Sequence, residues 1–178
     1  MKYTYCLNSS ETFQWELYFS LQDEDAPGTP SELLNSDLQG IIATVPGNVE
    51  VDLETAGKIK NPEIGNNVYD LREYELYRWW YRCRFNKPEV PDGHAVSLCF
   101  DGIDCIADIW LNHEIIGRTE NMFVEHDFDV TEKLEAVNEL FVCIHSPILE
   151  GRKYQREFFG VRADALGGES VNIRKAAH

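Results

Sequence analysis

The chain has 178 residues, 43% hydrophobic and 26% charged, an ordinary globular composition long enough for one domain with a self-supporting core. Its net charge of −15 repels phosphate backbones and anionic lipid, which excludes nucleic acid and membrane surfaces as expected partners and leaves a neutral partner such as a sugar unpenalised. The N-terminal MKYTYCLNSS lacks the apolar stretch of a secretion signal, and no apolar run is long enough to span a bilayer, so cytoplasmic and signal-processed periplasmic or lysosomal locations both stay open.

In chain order, residues 12–20 (TFQWELYFS) form a β-branched and aromatic run that predicts a first strand. Residues 21–39 are acidic and hold Pro27, Gly28 and Pro30, which predicts a loop. Residues 40–45 form a short apolar strand that ends at Pro46-Gly47. Asn48 then caps a short helix, NVEVDLETAG, with Gly57 as its stop. Asn61-Pro62, Gly65 and Asn66-Asn67 make residues 60–77 an irregular surface segment.

Strands dominate from there. In residues 78–85 (RWWYRCRF), Trp79, Tyr81, Cys83 and Phe85 share one face, and Trp80, Arg82 and Arg84 share the other. Val96, Leu98 and Phe100 alternate in residues 94–100, and Ile103, Cys105, Ala107, Ile109 and Leu111 do so in residues 103–111. Asn112-His113 predicts a tight turn into EIIGR, since such turns want positive φ. Residues 122–130 and 139–145 complete the series, with Leu140, Val142 and Ile144 on one side of the last. Residues 148–160 (ILEGRKYQREFFG) predict one further helix, on which Glu150, Arg152, Arg156 and Glu157 form exposed ion pairs. The tail ESVNIRKAAH opens as a short strand. Short, regularly spaced runs of period two predict an all-β antiparallel sandwich with one or two short helices.

Candidate chemistry is sparse. No nucleophile set, metal-ligand cluster or phosphate loop stands out, so the expected catalytic, metal and cofactor residues are none. The five cysteines lie at 6, 83, 99, 105 and 143 with no CxxC pair. Cys83, Cys99, Cys105 and Cys143 fall in apolar strand runs and are expected as buried, reduced thiols. The histidines show no HxH or HxxxH spacing. Asp101, Asp104, Asp108, Glu125, Asp127 and Asp129 lack the spacing of a calcium loop, so a solvated polar face is expected of them. Trp79 shares the apolar face of its strand and is expected in the core. Trp80 and Trp110 fall on the opposite parity from their apolar neighbours. They are therefore expected to be exposed or at an interface, where an aromatic face either packs against another domain or stacks on a sugar ring.

Several segments together resemble the N-terminal domain of glycoside hydrolase family 2, most closely its β-mannosidase branch. They are Ala43-Thr44-Val45-Pro46-Gly47 with Asp52-Leu53 and Ala56-Gly57; Asn61-Pro62 with Gly65-Asn66-Asn67; and Trp79-Trp80-Tyr81-Arg82 with Phe85. Next come Asp101-Gly102-Ile103-Asp104 with Trp110-Leu111-Asn112 and Gly117; Asn121-Met122-Phe123 with Phe128-Asp129-Val130-Thr131; Asn138-Glu139-Leu140 with Ser146-Pro147; and Ile173-Arg174-Lys175-Ala176. Each is weak alone, but their number and unbroken order are specific. His113 departs from the common hairpin Gly of the family.

The resemblance implies a galactose-binding-like jelly roll over residues 1–178 as a single domain. In the family this domain precedes an immunoglobulin-like sandwich and a barrel whose two glutamates hydrolyse terminal β-linked sugars with retention. No barrel or glutamate motif is present, so the chain is expected to be a non-catalytic N-terminal fragment of a larger glycosidase. Its implied partners are the remaining domains of that parent and carbohydrate, bound weakly or only in the full-length enzyme. The final strand of the family pattern is missing, which implies a sheet edge open to self-association. Arg174 and Lys175 stand where the family approaches its sugar site. The alternative reading is a self-sufficient carbohydrate-binding module.

Overall fold

The computed structural model describes residues 3–91 and 93–154. Its elements run β1 (Trp15–Leu21), α1 (Pro30–Asn35), β2 (Ile41–Ala43), α2 (Val49–Thr55), a 3-10 segment (Asn67–Leu76), β3 (Tyr77–Asn86), β4 (Ser97–Phe100), β5 (Ala107–Leu111), β6 (Glu114–Thr119), β7 (His126–Asp129), β8 (Val137–Ile144) and α3 (Pro147–Arg152). A six-stranded sheet in the order β2-β1-β3-β8-β5-β6 faces a two-stranded sheet, β4-β7. Every described pairing is antiparallel. The all-β sandwich expected from period-two alternation is the observed architecture.

The core lies between the sheets. Leu17, Trp79, Tyr81, Cys83 and Phe85 meet Ala107, Ile109, Leu111, Leu140 and Val142, with Val96, Leu98, Phe100 and Phe128 closing from the smaller sheet. The face assignments on β3, β5 and β8 follow the alternation of the sequence, because successive side chains leave a strand on opposite sides. Gly117 on β6 sits directly under the Phe128 ring, where a Cβ would collide with it.

Two hairpin and capping readings hold in atomic detail. Asn48 caps α2 by accepting the Val51 N–H at 3.0 Å, and Gly57 takes φ +67 past its end. Asn112 and His113 adopt φ 50 and 67 in the β5–β6 turn, the left-handed pair such a turn requires.

Three readings are corrected. The segment 21–39 contains a helix, α1, where a loop was expected. Thr29 accepts the Glu32 N–H at 3.3 Å, Pro30 opens the helix, and the Glu32 carboxylate reaches back to accept the Gly28 N–H at 2.7 Å. Glu150 was expected in exposed ion pairs, yet it is 3% exposed. Its Oε1 accepts from Lys153 Nζ at 2.6 Å and from Gln22 Nε2 at 3.4 Å, and Arg118 Nη2 stands 3.7 Å from its Oε2. Cys99 is exposed where burial was expected, because β4 turns it outward between the inward Leu98 and Phe100; its thiol faces the Asp127 carboxylate across the pair. Cys83, Cys105 and Cys143 are buried as expected.

Candidate functional site

The outer face of the large sheet is the first place to look, since it carries both singled-out tryptophans. Trp80 is 0% exposed and packs edge-to-face on Phe141 with ring centroids 6.5 Å apart. Leu33 of α1 and Cys143 complete that cluster, with Tyr18, Leu38 and Trp110 partly buried against it. The expectation of an exposed Trp80 is therefore corrected. Its parity was right, but α1 and Leu38 cover that face. Trp110 is half-buried in the same cluster. Arg174 and Lys175 lie outside the described residues.

Polar groups flank this apolar patch at both ends. At one end Arg82 bridges Glu16 at 3.0 Å and Glu139 at 2.6 Å, and Arg84 adds a second contact to Glu139 at 2.8 Å. His113 reaches the other Glu139 oxygen at 3.3 Å, and Ser31 of α1 lies 3.4 Å from its Nδ1. The residue that replaces the usual hairpin Gly thus ties the turn to α1. Burial pushes the Glu139 carboxyl up, but the Arg82 hydrogen bond and the charges of Arg82 and Arg84 outweigh it and hold the group below its usual value. At the other end His145 Nε2 lies 2.8 Å from Asp108, with Arg118 3.6 Å from the second oxygen. The His145 hydrogen bond lowers the Asp108 carboxyl against its own burial.

A cleft of about 310 Å³ lies at the opposite side of the large sheet and opens onto the core. Its floor is Trp79, Tyr81, Val142 and Ile144 of β3 and β8. One wall is the segment 44–50, and the facing wall is Phe100 with Gly102, Ile103 and Asp104. Two of the family-like motifs, ATVPG and DGID, therefore converge on one feature. Sequence alone had no means to see this, since 50 residues separate the walls and no local pattern joins them.

Each wall is held from beneath. Asp52, 3% exposed, accepts the Thr44 N–H with both carboxylate oxygens, at 3.0 and 3.2 Å. Burial raises its carboxyl, and the Thr44 bonds oppose the rise. Ser9 Oγ accepts the Val45 N–H at 2.8 Å, and the Ser9 N–H returns to the Val45 carbonyl at 2.7 Å. A Cβ at Gly47 would run into the Thr44 carbonyl oxygen, and one at Gly102 would stand 2.8 Å from the Met122 carbonyl oxygen. At the end of the floor, Pro147 opens α3. That helix is positioned by Ser146, whose Oγ accepts the Leu149 N–H at 3.1 Å and donates to the Glu75 carbonyl at 2.6 Å.

Asp108, Glu139 and Glu150 are each pulled toward the ionised form by cationic partners, the reverse of what an acid catalyst needs. Among the described residues no group of three or more His, Cys, Asp or Glu gathers as a metal site. Their helices include none long and apolar enough to cross a membrane.

The described residues thus form an antiparallel sandwich with a cleft between the segment 44–50 and residues 100–104. The family model described as the glycosyl hydrolase 2 galactose-binding domain-like family matches residues 19–178, and the chain belongs to that family. Beta-mannosidase B of Aspergillus terreus is 41% identical over 144 residues, covering 77% of this chain and 17% of that protein. The protein of the same name from Aspergillus clavatus is 40% identical over 106 residues, covering 60% of this chain and 12% of its own length. Among solved structures, the beta-D-mannosidase of Dictyoglomus thermophilum superposes with a TM-score of 0.67 at 29% identity, over 86% of this chain and 17% of that one. The chain thus spans 12–17% of the length of these three proteins.

Proposed function

We propose that residues 1–178 form a single non-catalytic N-terminal sandwich domain of a β-mannosidase-like family 2 glycoside hydrolase. In this reading the domain buttresses a catalytic barrel elsewhere in the parent, which hydrolyses terminal β-linked sugars. The observation that carries it is the pairing of a family match over residues 19–178 with curated relatives of which the chain covers only 12–17%. The described carboxylates support it, because Asp108, Glu139 and Glu150 serve in ion pairs and Asp52 holds the Thr44 backbone. The resemblance around Ile173-Arg174-Lys175 makes Arg174 and Lys175 the residues nearest the parent's sugar site.

The cleft favours a second reading, a self-sufficient carbohydrate-binding module. At about 310 Å³ it is at the small end of the range for ligand sites, and Trp79 and Tyr81 lie in its floor. Calorimetric titration of the purified chain with mannose, β-mannobiose and galactose at millimolar concentration separates the two. Silence for all three agrees with a structural domain. Saturable heat with any of them that is lost in Trp79→Leu, at unchanged melting temperature, overturns the first reading for the second.

A further inference from the structure

Four aromatic side chains converge on the cleft. Trp15 comes from β1, Trp79 and Tyr81 from β3, and Phe100 from β4. Three of them are held in place by the fold itself. The Trp15 indole donates to the Leu7 carbonyl at 2.7 Å. Trp79 is backed by the rings of Phe19, Tyr74 and Tyr77, with centroids 5.3, 6.1 and 6.1 Å away. Tyr81 is 8% exposed, on a strand position paired with Leu17 on one side and Val142 on the other. Side chains fixed in this way lose little conformational freedom when a ligand arrives.

The charge around these rings has one sign. Glu50 stands on one wall and Asp104 on the other, both half-buried, and among the described residues lining the cleft none is Lys or Arg. His145, also on the lining, already places its Nε2 2.8 Å from Asp108. The Tyr81 phenol registers the resulting field. It is pushed above its usual value first by burial and then by the charges of Asp52 and Glu50. Two carboxylates that oppose a negative charge at the floor favour a positive one there, and the net charge of −15 adds to the attraction.

We propose that the cleft binds a small organic cation, with its ammonium group among Trp15, Trp79, Tyr81 and Phe100 and with Glu50 and Asp104 as counter-charges. Aromatic rings attract ammonium groups through their quadrupoles, most strongly where water is excluded. An inorganic ion has no need of the rings, and a hydrocarbon has no need of the carboxylates. The two together select a ligand that is apolar in bulk and positive in charge. At about 310 Å³ the cleft takes one small molecule. A choline-like ligand and an amino sugar share this chemistry. The inference goes beyond both readings of the proposed function and depends on neither.

Choline, and the neutral alcohol in which carbon replaces the choline nitrogen, test it on the isotope-labelled full chain. Choline is expected to shift the indole N–H signals of Trp15 and Trp79 saturably and to leave those of Trp80 and Trp110, on the outer face, in place. It is expected to bind at least about tenfold more tightly than the alcohol. Glu50→Gln is expected to weaken choline about threefold at unchanged melting temperature and to leave the alcohol unaffected. Absence of a saturable choline shift overturns the proposal. Equal affinity for the alcohol overturns it too, since the cleft is then a plain apolar hollow, and so does undiminished choline binding by Glu50→Gln. With choline bound as expected, preference for glucosamine over mannose assigns the cation to an amino sugar, and its absence assigns it to a quaternary ammonium; either result keeps the proposal.

Discussion

Asn112 and Asn138 lock the β5–β6 turn to the start of β8. Asn112 Nδ2 donates to Asn138 Oδ1 at 2.9 Å, and Asn112 Oδ1 accepts the Glu139 N–H at 2.9 Å. Asn138 is fully buried, accepts the Glu135 N–H and donates to the Glu135 carbonyl, both at 2.9 Å. Both asparagines belong to family-like motifs far apart in the chain, and the fold joins them into one polar clasp.

Asn138→Ala leaves the Glu135 backbone and the Asn112 amide without their partner in a buried place. A loss of about 1–3 kcal/mol in unfolding free energy is expected by urea titration. Asn112→Gly keeps the positive φ while deleting the side-chain bonds, so it is expected to lose stability too. If Asn112→Gly is neutral, the clasp contributes nothing beyond the turn.

Trp80→Ala is expected to destabilise by about 3–5 kcal/mol, since it removes a fully buried side chain packed on Phe141 and Leu33. Leu33→Ala is expected to cost about 2–5 kcal/mol from the other side of the same contact. Near-native stability in either variant contradicts the coverage of this face by α1.

The acid limb of stability follows from Asp108, Glu139 and Glu150, all held below their usual values. For Asp108 the unfolded chain titrates near 3.8 and the folded chain lower, so the unfolded state binds the extra proton between them. Its stabilisation is complete above that usual value and is lost as pH falls through the folded one. Asp52 runs the opposite way. Its raised carboxyl favours the folded state at low pH, and that contribution fades as pH rises from 3.8 through the folded value. Urea midpoints of Asp108→Asn from pH 3 to 7 are expected to show a shallower acid decline than the parent. Those of Asp52→Asn are expected to show a steeper rise with pH over the same range, and parallel curves in all three proteins contradict these assignments.

Much of this was legible in the sequence because it is local. Alternation assigned the faces of β3, β5 and β8, and Asn48, Gly57 and Asn112-His113 announced their own backbone angles. Helix α1 was also announced, by Thr29 and Glu32 at capping-box spacing, but the surrounding Pro and acidic residues masked it. What could not be read depends on distant partners. Parity put Trp80 on the outer face without showing that α1 covers it. Helical spacing put Glu150 among exposed ion pairs with Arg152, Arg156 and Glu157, without showing that Lys153, Gln22 from the end of β1 and Arg118 of β6 gather on its buried carboxylate. The cleft has no sequence signature, because its two walls meet only when the sandwich closes.

Turnover of an aryl β-mannoside by the purified chain is the most direct measurement of whether this domain supports chemistry done elsewhere. The account predicts no release of the aryl group above the buffer rate at any pH between 4 and 8. Saturable turnover that survives further purification, and falls with substitution of a carboxylate on the cleft such as Glu50→Gln or Asp104→Asn, would contradict it.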